Sequence, residues 1–171
     1  MARRLPLAAT RPSQRPTPPA WGSDRLLGYE WLVQPILDRN CIRCHGAKKP
    51  AGKVDFSATR AKDGLRQSFR TIVGLRADGS KGKRLVSVAN RFGNATVSGV
   101  KAFGSHRSLL ATTLRQPPHR KRVQLSPADW EALVTWIDAN APYYDTFLNK
   151  RPEDGGPPRR EACPEQTRRA E

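Results

Sequence analysis

Apolar residues recur at helical spacing near the start of the chain. Between residues 26 and 44 they are spaced by one or four positions, which is the pattern of an amphipathic helix. These apolar positions are Leu27, Trp31, Leu32, Ile36 and Leu37. Pro35 suits the start of the helix or a kink in it, and Gly46 is a natural stop. The pattern therefore predicts a helix from Leu26 to Cys44.

The last predicted helix has the clearest boundaries. Ser126 is a favoured N-cap residue, Pro127 suits the first helical position, and Asp129 follows three positions after the cap. Four apolar residues fall at i, i+3, i+4 and i+7, namely Trp130, Leu133, Val134 and Ile137. The segment Asn140-Ala141-Pro142 ends the helix. We expect the aromatic residues that follow to fold back onto the domain: Tyr143, Tyr144 and Phe147.

The middle of the chain has weaker patterns. A short helix is predicted at residues 57–63, and the apolar runs at 72–75 and 85–88 fit short strands or loops equally well. We expect residues 64–104 to form mainly a long loop. Another short helix is predicted from Ser105, as its cap, to Leu114, and three leucines would face inward: Leu109, Leu110 and Leu114.

Composition divides the chain into one domain with irregular ends. Residues 1–24 are rich in Pro and Arg, which predicts an extended linker, and the polar residues 150–171 predict a disordered tail. Residues 25–149 then form a single domain. Apolar residues make up only 37% of the chain, so the core is small. A large planar cofactor would supply apolar surface that the side chains lack.

The chain is strongly basic, with 31 Lys and Arg against 15 Asp and Glu and a net charge of +16. Most of this charge lies in the predicted domain, since residues 26–149 carry +11. Such a charge suits an acidic partner, an anionic surface or nucleic acid, or reflects only an arginine-rich solvated surface. No nucleic-acid-binding motif accompanies it, so nucleic acid is not the expected partner. No run of 18 apolar residues predicts a transmembrane segment.

The most informative motif is Cys41-Ile42-Arg43-Cys44-His45. Two cysteines three positions apart share one side of a helical turn, so both thiols can bond the two vinyl groups of one porphyrin. The histidine that follows can then reach the iron. This is the pattern of c-type haem attachment, and it predicts one covalent haem c held by Cys41, Cys44 and His45, with His45 as the proximal ligand.

Two other kinds of site use such a cysteine pair. A zinc site would need further ligands, yet the remaining Cys163 stands in the charged tail and there is no second cysteine pair. A thioredoxin-like redox pair follows a strand, whereas the residues before Cys41 have a helical pattern. Haem attachment is the preferred interpretation, and a non-haem, zinc-binding domain is its alternative.

A second axial ligand is expected from the loop before the last helix. A haem-bearing helix, a loop-rich middle and a final amphipathic helix resemble a class I-like cytochrome c domain, which is mainly α with long loops and irregular termini. The ligand in that fold is usually Met, but Met1 is the only methionine here. His119 is the preferred distal ligand by position, His106 is the alternative, and an open or water-bound iron is the third case.

Three stretches together resemble the haem domain of proteins related to the alpha subunit of hydrazine synthase. They are residues 33–46, Gly104-Ser105-His106 and residues 133–144. The resemblance covers residues 25 to 149, although residues 76–103 match no pattern of that family. It implies a bis-histidine haem that relays electrons in a longer exported protein with a propeller-like region upstream. It does not imply hydrazine synthesis by this chain.

The sequence therefore predicts a module for single-electron transfer, because two imidazoles saturate the iron. A haem enzyme with an open iron acting on a small nitrogen or oxygen species is the alternative. The expected partners are upstream domains of a longer chain and a redox protein. Basic residues of this chain would guide an acidic redox protein to it, namely Lys48, Lys49, Arg120, Lys121 and Arg122. Covalent haem implies an extracytoplasmic, periplasmic location. Since Leu5 to Ala9 is too short for a signal peptide, we expect a fragment of an exported protein.

Overall fold

The computed structural model describes residues 12–13, 15–76, 80–89, 98–149 and 155–162. Within these ranges the α-helices are α1 (Gln34–Asn40), α2 (Ile42–His45), α3 (Gln67–Val73), α4 (Leu109–Arg115), α5 (His119–Arg122) and α6 (Pro127–Asp138). A π-helical turn, Tyr29–Val33, precedes α1, and a 3₁₀ turn spans Ala51–Lys53. Two antiparallel strands, β1 (Thr146–Asn149) and β2 (Arg159–Ala162), form a small sheet with Thr146 opposite Ala162.

The first predicted helix is present but divided. The π-helical turn leads directly into α1, and Pro35 lies in the first turn of α1, where its missing N–H is not needed. Helix α1 ends at Asn40, and the N–H of the next residue, Cys41, still bonds to the carbonyl of Leu37 at 2.7 Å. The single turn α2 follows and stops at Gly46, whose backbone is extended. The prediction of one continuous helix was therefore too simple.

Helix α6 crosses the π-helical turn and closes the core. The ring of Tyr29 lies 5.4 Å from that of Trp136 and 5.1 Å from that of Phe69, measured between centres. Contact between the early and late helical segments therefore holds the domain together. The largest fully buried apolar side chains are Tyr29, Val33, Leu37, Ile72, Val86, Leu133, Trp136 and Ile137.

The boundaries predicted for α6 are confirmed. The Ser126 hydroxyl accepts a hydrogen bond from the N–H of Asp129 at 3.0 Å, as an N-cap should. Its inward face is only partly as predicted, because Trp130 and Val134 are half-buried, whereas Trp136, which the sequence pattern missed, is fully buried. The indole N–H of Trp136 also donates to the carbonyl of Pro142 at 2.8 Å.

The middle of the chain differs most from the prediction. Residues 57–63 do not form a helix, because Arg60 pairs with Arg66 across a tight turn. Helix α3 follows instead and includes two residues of the apolar run 72–75, so the long loop predicted for 64–104 is interrupted. Gly74 ends α3 at φ 73°, a left-handed conformation that favours glycine. The run 85–88 contains neither a helix nor a strand.

The helix predicted from Ser105 begins later. Residues 105–107 form turns, α4 starts at Leu109, and Ser108 occupies the N-cap position. Leu110 is buried and Leu114 half-buried, but Leu109 is exposed rather than inward-facing. The prediction placed the cap one turn too early because both serines suit that position.

The segments after α6 only partly match the predictions. Tyr143 stacks on Tyr29 with ring centres 5.6 Å apart, whereas Tyr144 and Phe147 are exposed. The sheet was not predicted, and β2 lies within the expected disordered tail. The predictions for Met1, for Cys163, and for residues 1–11, 14, 77–79, 90–97, 150–154 and 163–171 lie outside the described residues.

A polar network fixes Tyr143 to the start of the domain. The Glu30 carboxylate accepts a hydrogen bond from the Tyr143 hydroxyl at 2.6 Å and from Arg66 Nε at 3.2 Å, and it pairs with Arg60 at 2.9 Å. Partial burial alone would raise the pKa of Glu30, but the Tyr143 hydroxyl and the two guanidinium groups outweigh it and lower that pKa. Burial and the bond to Glu30 raise the pKa of Tyr143 to about 12.

Candidate functional site

Cys41 lies at the break between α1 and α2, and Cys44 lies within α2. Cys44 N–H and His45 N–H both donate to the carbonyl of Cys41, at 3.1 Å and 2.9 Å, so the motif forms one helical turn. The Cys41 side chain is half-buried against the core, whereas Cys44 is exposed. Neither cysteine is in a disulfide. Both thiols are therefore free on one turn, with one of them at the surface.

The Cys41 thiol is protonated at neutral pH. Burial raises its pKa to about 11, and the neighbouring Cys44 contributes in the same direction. Reactive cysteine pairs of the thioredoxin type instead have a lowered pKa, because the thiolate is the nucleophile. The environment of Cys41 does not favour the redox-pair alternative.

His45 is held in a defined orientation. Its Nδ1 lies 3.1 Å from the carbonyl oxygen of Val54. Because a carbonyl oxygen can only accept, Nδ1 must donate, and the proton is fixed on that atom. Its ring also packs 5.2 Å from the ring of Phe56, whose N–H donates back to the His45 carbonyl at 2.7 Å. In the neutral ring this tautomer leaves the lone pair on Nε2, which is the arrangement that a metal-bound histidine requires.

His119 lies beside His45. It is the first residue of α5, and its ring centre is 6.1 Å from that of His45, with the ring planes 15° apart. An imidazole–metal bond is about 2.0 Å long and the nitrogen lies about 1.1 Å from its ring centre, so two imidazoles on opposite sides of one metal have centres about 6 Å apart. The His45–His119 pair therefore fits the spacing of the two axial ligands of one haem iron.

His106 lies elsewhere. Its neighbour Ser105 bonds through its N–H to Asp138 at the C-terminal end of α6, at 2.6 Å. The motif is near the other end, where Arg39 pairs with Asp129 at 2.7 Å. These two carboxylates are nine residues apart on one helix, or about 14 Å. The fold thus brings His119, and not His106, to His45.

Cys44 is exposed at the site, whereas His45 and His119 are half-buried. A cleft of about 590 Å³ is lined by Arg120 and Val123, close to His119 in sequence, and by Arg115 and Trp130. We define the site by the histidine pair, because axial ligation depends on two opposed imidazoles and not on cavity volume.

Sequence reasoning missed the two residues that orient His45. The carbonyl of Val54 and the ring of Phe56 belong to a short apolar stretch whose contact with the motif could not be read from spacing. A signal was present in the turn formers between them and the motif, since Gly52 has φ 62° and folds the chain back.

Among the described residues, no three His, Cys, Asp or Glu side chains come together as a metal-binding group. In the same part of the chain, no helix has the length and apolar character that crossing a bilayer requires. Comparison with known proteins gave no match to a protein-family model, to a curated protein or to a solved structure.

Proposed function

We propose that the chain is a c-type cytochrome domain that carries one covalent haem and transfers single electrons. The observation that carries the proposal is the position of His45. It directly follows a Cys-x-x-Cys sequence, and its ring lies beside that of His119. His45 is the proximal ligand and His119 the distal one, while Cys41 and Cys44 provide the covalent attachment. The fold class expected from the sequence, a class I-like cytochrome c domain, remains part of this proposal.

Each residue has a separate task. The Cys41 and Cys44 thiols would hold the haem by adding sulfur and hydrogen across its two vinyl groups, which would give two thioethers without oxidation or loss of atoms. The Val54 carbonyl keeps the His45 proton on Nδ1 and aims Nε2 at the metal. Haem supplies a one-electron couple between ferric and ferrous iron. His119 would provide the second protein ligand to the iron, which would leave no site for small substrates and favours electron relay over catalysis.

The wider setting is also a proposal. Covalent haem attachment normally takes place outside the cytoplasm, so we place the domain in an extracytoplasmic, periplasmic compartment. The resemblance to the hydrazine synthase alpha subunit-related family supports a relay module in a larger exported redox protein. The haem enzyme with an open iron would require His119 to lie away from His45, and the 6.1 Å separation of the rings does not favour it.

The test is haem attachment itself. The chain is fused to an export signal, produced in cells with a c-type maturation system, and examined by the pyridine haemochrome spectrum after denaturation. We expect a spectrum with two thioether bonds for the natural chain and with one for Cys44→Ser. As a matched control, Ser105→Ala should retain full haem content. A colourless chain that binds one equivalent of zinc through Cys41 and Cys44 would refute the proposal.

A further inference from the structure

Two basic segments meet at the histidine pair. Residues 43–53 contain four Lys or Arg, residues 115–124 contain four more, and neither segment contains Asp or Glu. The 6.1 Å approach of His45 to His119 places these segments side by side. We call the eight cationic residues the basic rim: Arg43, Lys48, Lys49, Lys53, Arg115, Arg120, Lys121 and Arg122.

The basic rim faces solvent and is not neutralised. All eight side chains are exposed, and none of them forms an ion pair with another described residue. The carboxylates next to the two segments are already engaged, since Asp55 accepts the N–H of Ser57 at 2.8 Å and Asp129 pairs with Arg39 at 2.7 Å. Four unpaired like charges on each of two adjoining segments produce a strong local positive potential.

We propose that the basic rim is the docking surface for an acidic redox protein. This inference rests on the proposed function, because it places the partner over the exposed side of the haem site, next to Cys44. Electron-transfer complexes are small and transient, and charge complementarity speeds their formation more than it tightens them. Positive charges around the site of electron transfer would raise the rate of complex formation without a large apolar interface.

Nucleic acid is the competing polyanion, and the local structure favours it less. Readers of duplex DNA commonly insert a helix into the major groove. Residues 115–124 contain only the last residue of α4 and one complete helix, α5, which has four residues and begins with the proposed iron ligand. The rim charges are thus arranged around a redox site and not along an element that could enter a groove.

The test measures oxidation of the matured, reduced protein by ferricyanide, an anionic oxidant, and by tris(phenanthroline)cobalt(III), a cationic one. With the natural chain, ferricyanide oxidation should slow as salt rises and cobalt oxidation should accelerate. The double variant Lys49→Glu/Lys121→Glu should slow ferricyanide oxidation about tenfold at low salt. The control Lys83→Glu/Arg107→Glu makes the same charge change at exposed residues outside the rim and should alter the rate less than about twofold.

A second experiment compares the two kinds of polyanion. Fluorescence anisotropy measures how tightly the protein binds a labelled 20-residue poly-L-glutamate and a labelled 10-base-pair DNA duplex. The inference holds if the rim variant weakens peptide binding and the control does not. Equal effects of both variants on the ferricyanide rate would overturn the inference. It would also be overturned if the duplex bound at least tenfold more tightly than the peptide and the rim variant lost this duplex binding. If the haemochrome spectrum is normal in these cases, the proposed function still holds. A chain without haem would refute both the proposed function and the docking inference.

Discussion

The imidazole rings of His45 and His119 lie with centres 6.1 Å apart and with planes 15° from parallel. One ring follows the cysteine pair, and the other begins α5, just before the capped helix α6. The Val54 carbonyl orients the His45 ring, and the position of α5 sets that of His119. Under the proposed function, both imidazoles would bind one iron.

Under the proposed function, replacing His119 should change the spin state. In matured protein, His119→Ala removes one axial ligand, so we expect the low-spin absorption spectrum to become high-spin and the reduced protein to bind carbon monoxide. His106→Ala is the matched control, because His106 lies near the opposite end of α6, and it should leave the spectrum unchanged. The reverse outcome would show that the distal ligand is His106.

The Glu30 network should make stability depend on pH. Because the folded-state pKa of Glu30 is lowered, its contribution is complete above its pKa in the unfolded chain and is lost as the pH falls through the folded-state value. We expect Glu30→Gln to cost about 1 kcal/mol at pH 7, a figure kept small because the carboxylate is partly exposed. Urea unfolding should show the difference between variant and natural chain shrinking as the pH falls below the ordinary carboxyl range. A difference that stays constant with pH would contradict the assignment.

The hydroxyl of Tyr143 should couple to the same carboxylate. Tyr143→Phe keeps the ring packing and removes the hydrogen bond, so we expect a loss of about 1 kcal/mol at pH 7. The double variant Glu30→Gln/Tyr143→Phe should lose less stability than the sum of the losses in the two single variants. Tyr144→Phe is the control, because it removes a hydroxyl from the neighbouring exposed ring, which contacts Tyr143 edge-on with ring centres 4.8 Å apart. Full additivity in urea unfolding would show that the two groups act separately.

The cap of α6 should matter for stability and not for haem binding. Ser126→Ala removes the acceptor for the Asp129 N–H and should cost about 1 kcal/mol in urea unfolding. Ser126→Asp restores an acceptor and should recover most of that loss. If both variants were equally destabilised, the side-chain hydrogen bond would not be the cause.

Burial of Trp136 should contribute most to the core. Its side chain is fully buried between Tyr29 and Phe69, and Trp136→Ala should cost about 3–5 kcal/mol through lost contacts and a cavity. Trp130→Ala, on the half-buried side of the same helix, should cost clearly less. Comparable losses in thermal unfolding would contradict the orientation of α6.

How far the sequence predicted the structure depended on how local the determining contacts are. The limits of α6 could be predicted, because a Ser126 cap and apolar spacing act within one helix. Helix α3 could not, since its burial depends on Tyr29 and Trp136, which are distant in sequence. The cysteine motif was readable from spacing, but His119 and His106 could be separated only by the packing that brings one of them to His45. The contact of Val54 with His45 involves a backbone carbonyl, to which side-chain patterns give no access.

The most direct test of the central claim is the electron paramagnetic resonance spectrum of the matured, oxidised chain. Two imidazoles on one ferric iron predict a purely low-spin signal that added cyanide displaces only slowly, together with a pyridine haemochrome of the two-thioether type. A high-spin ferric signal, or a chain that matures without any haem, would contradict the pairing of His45 and His119 across an iron.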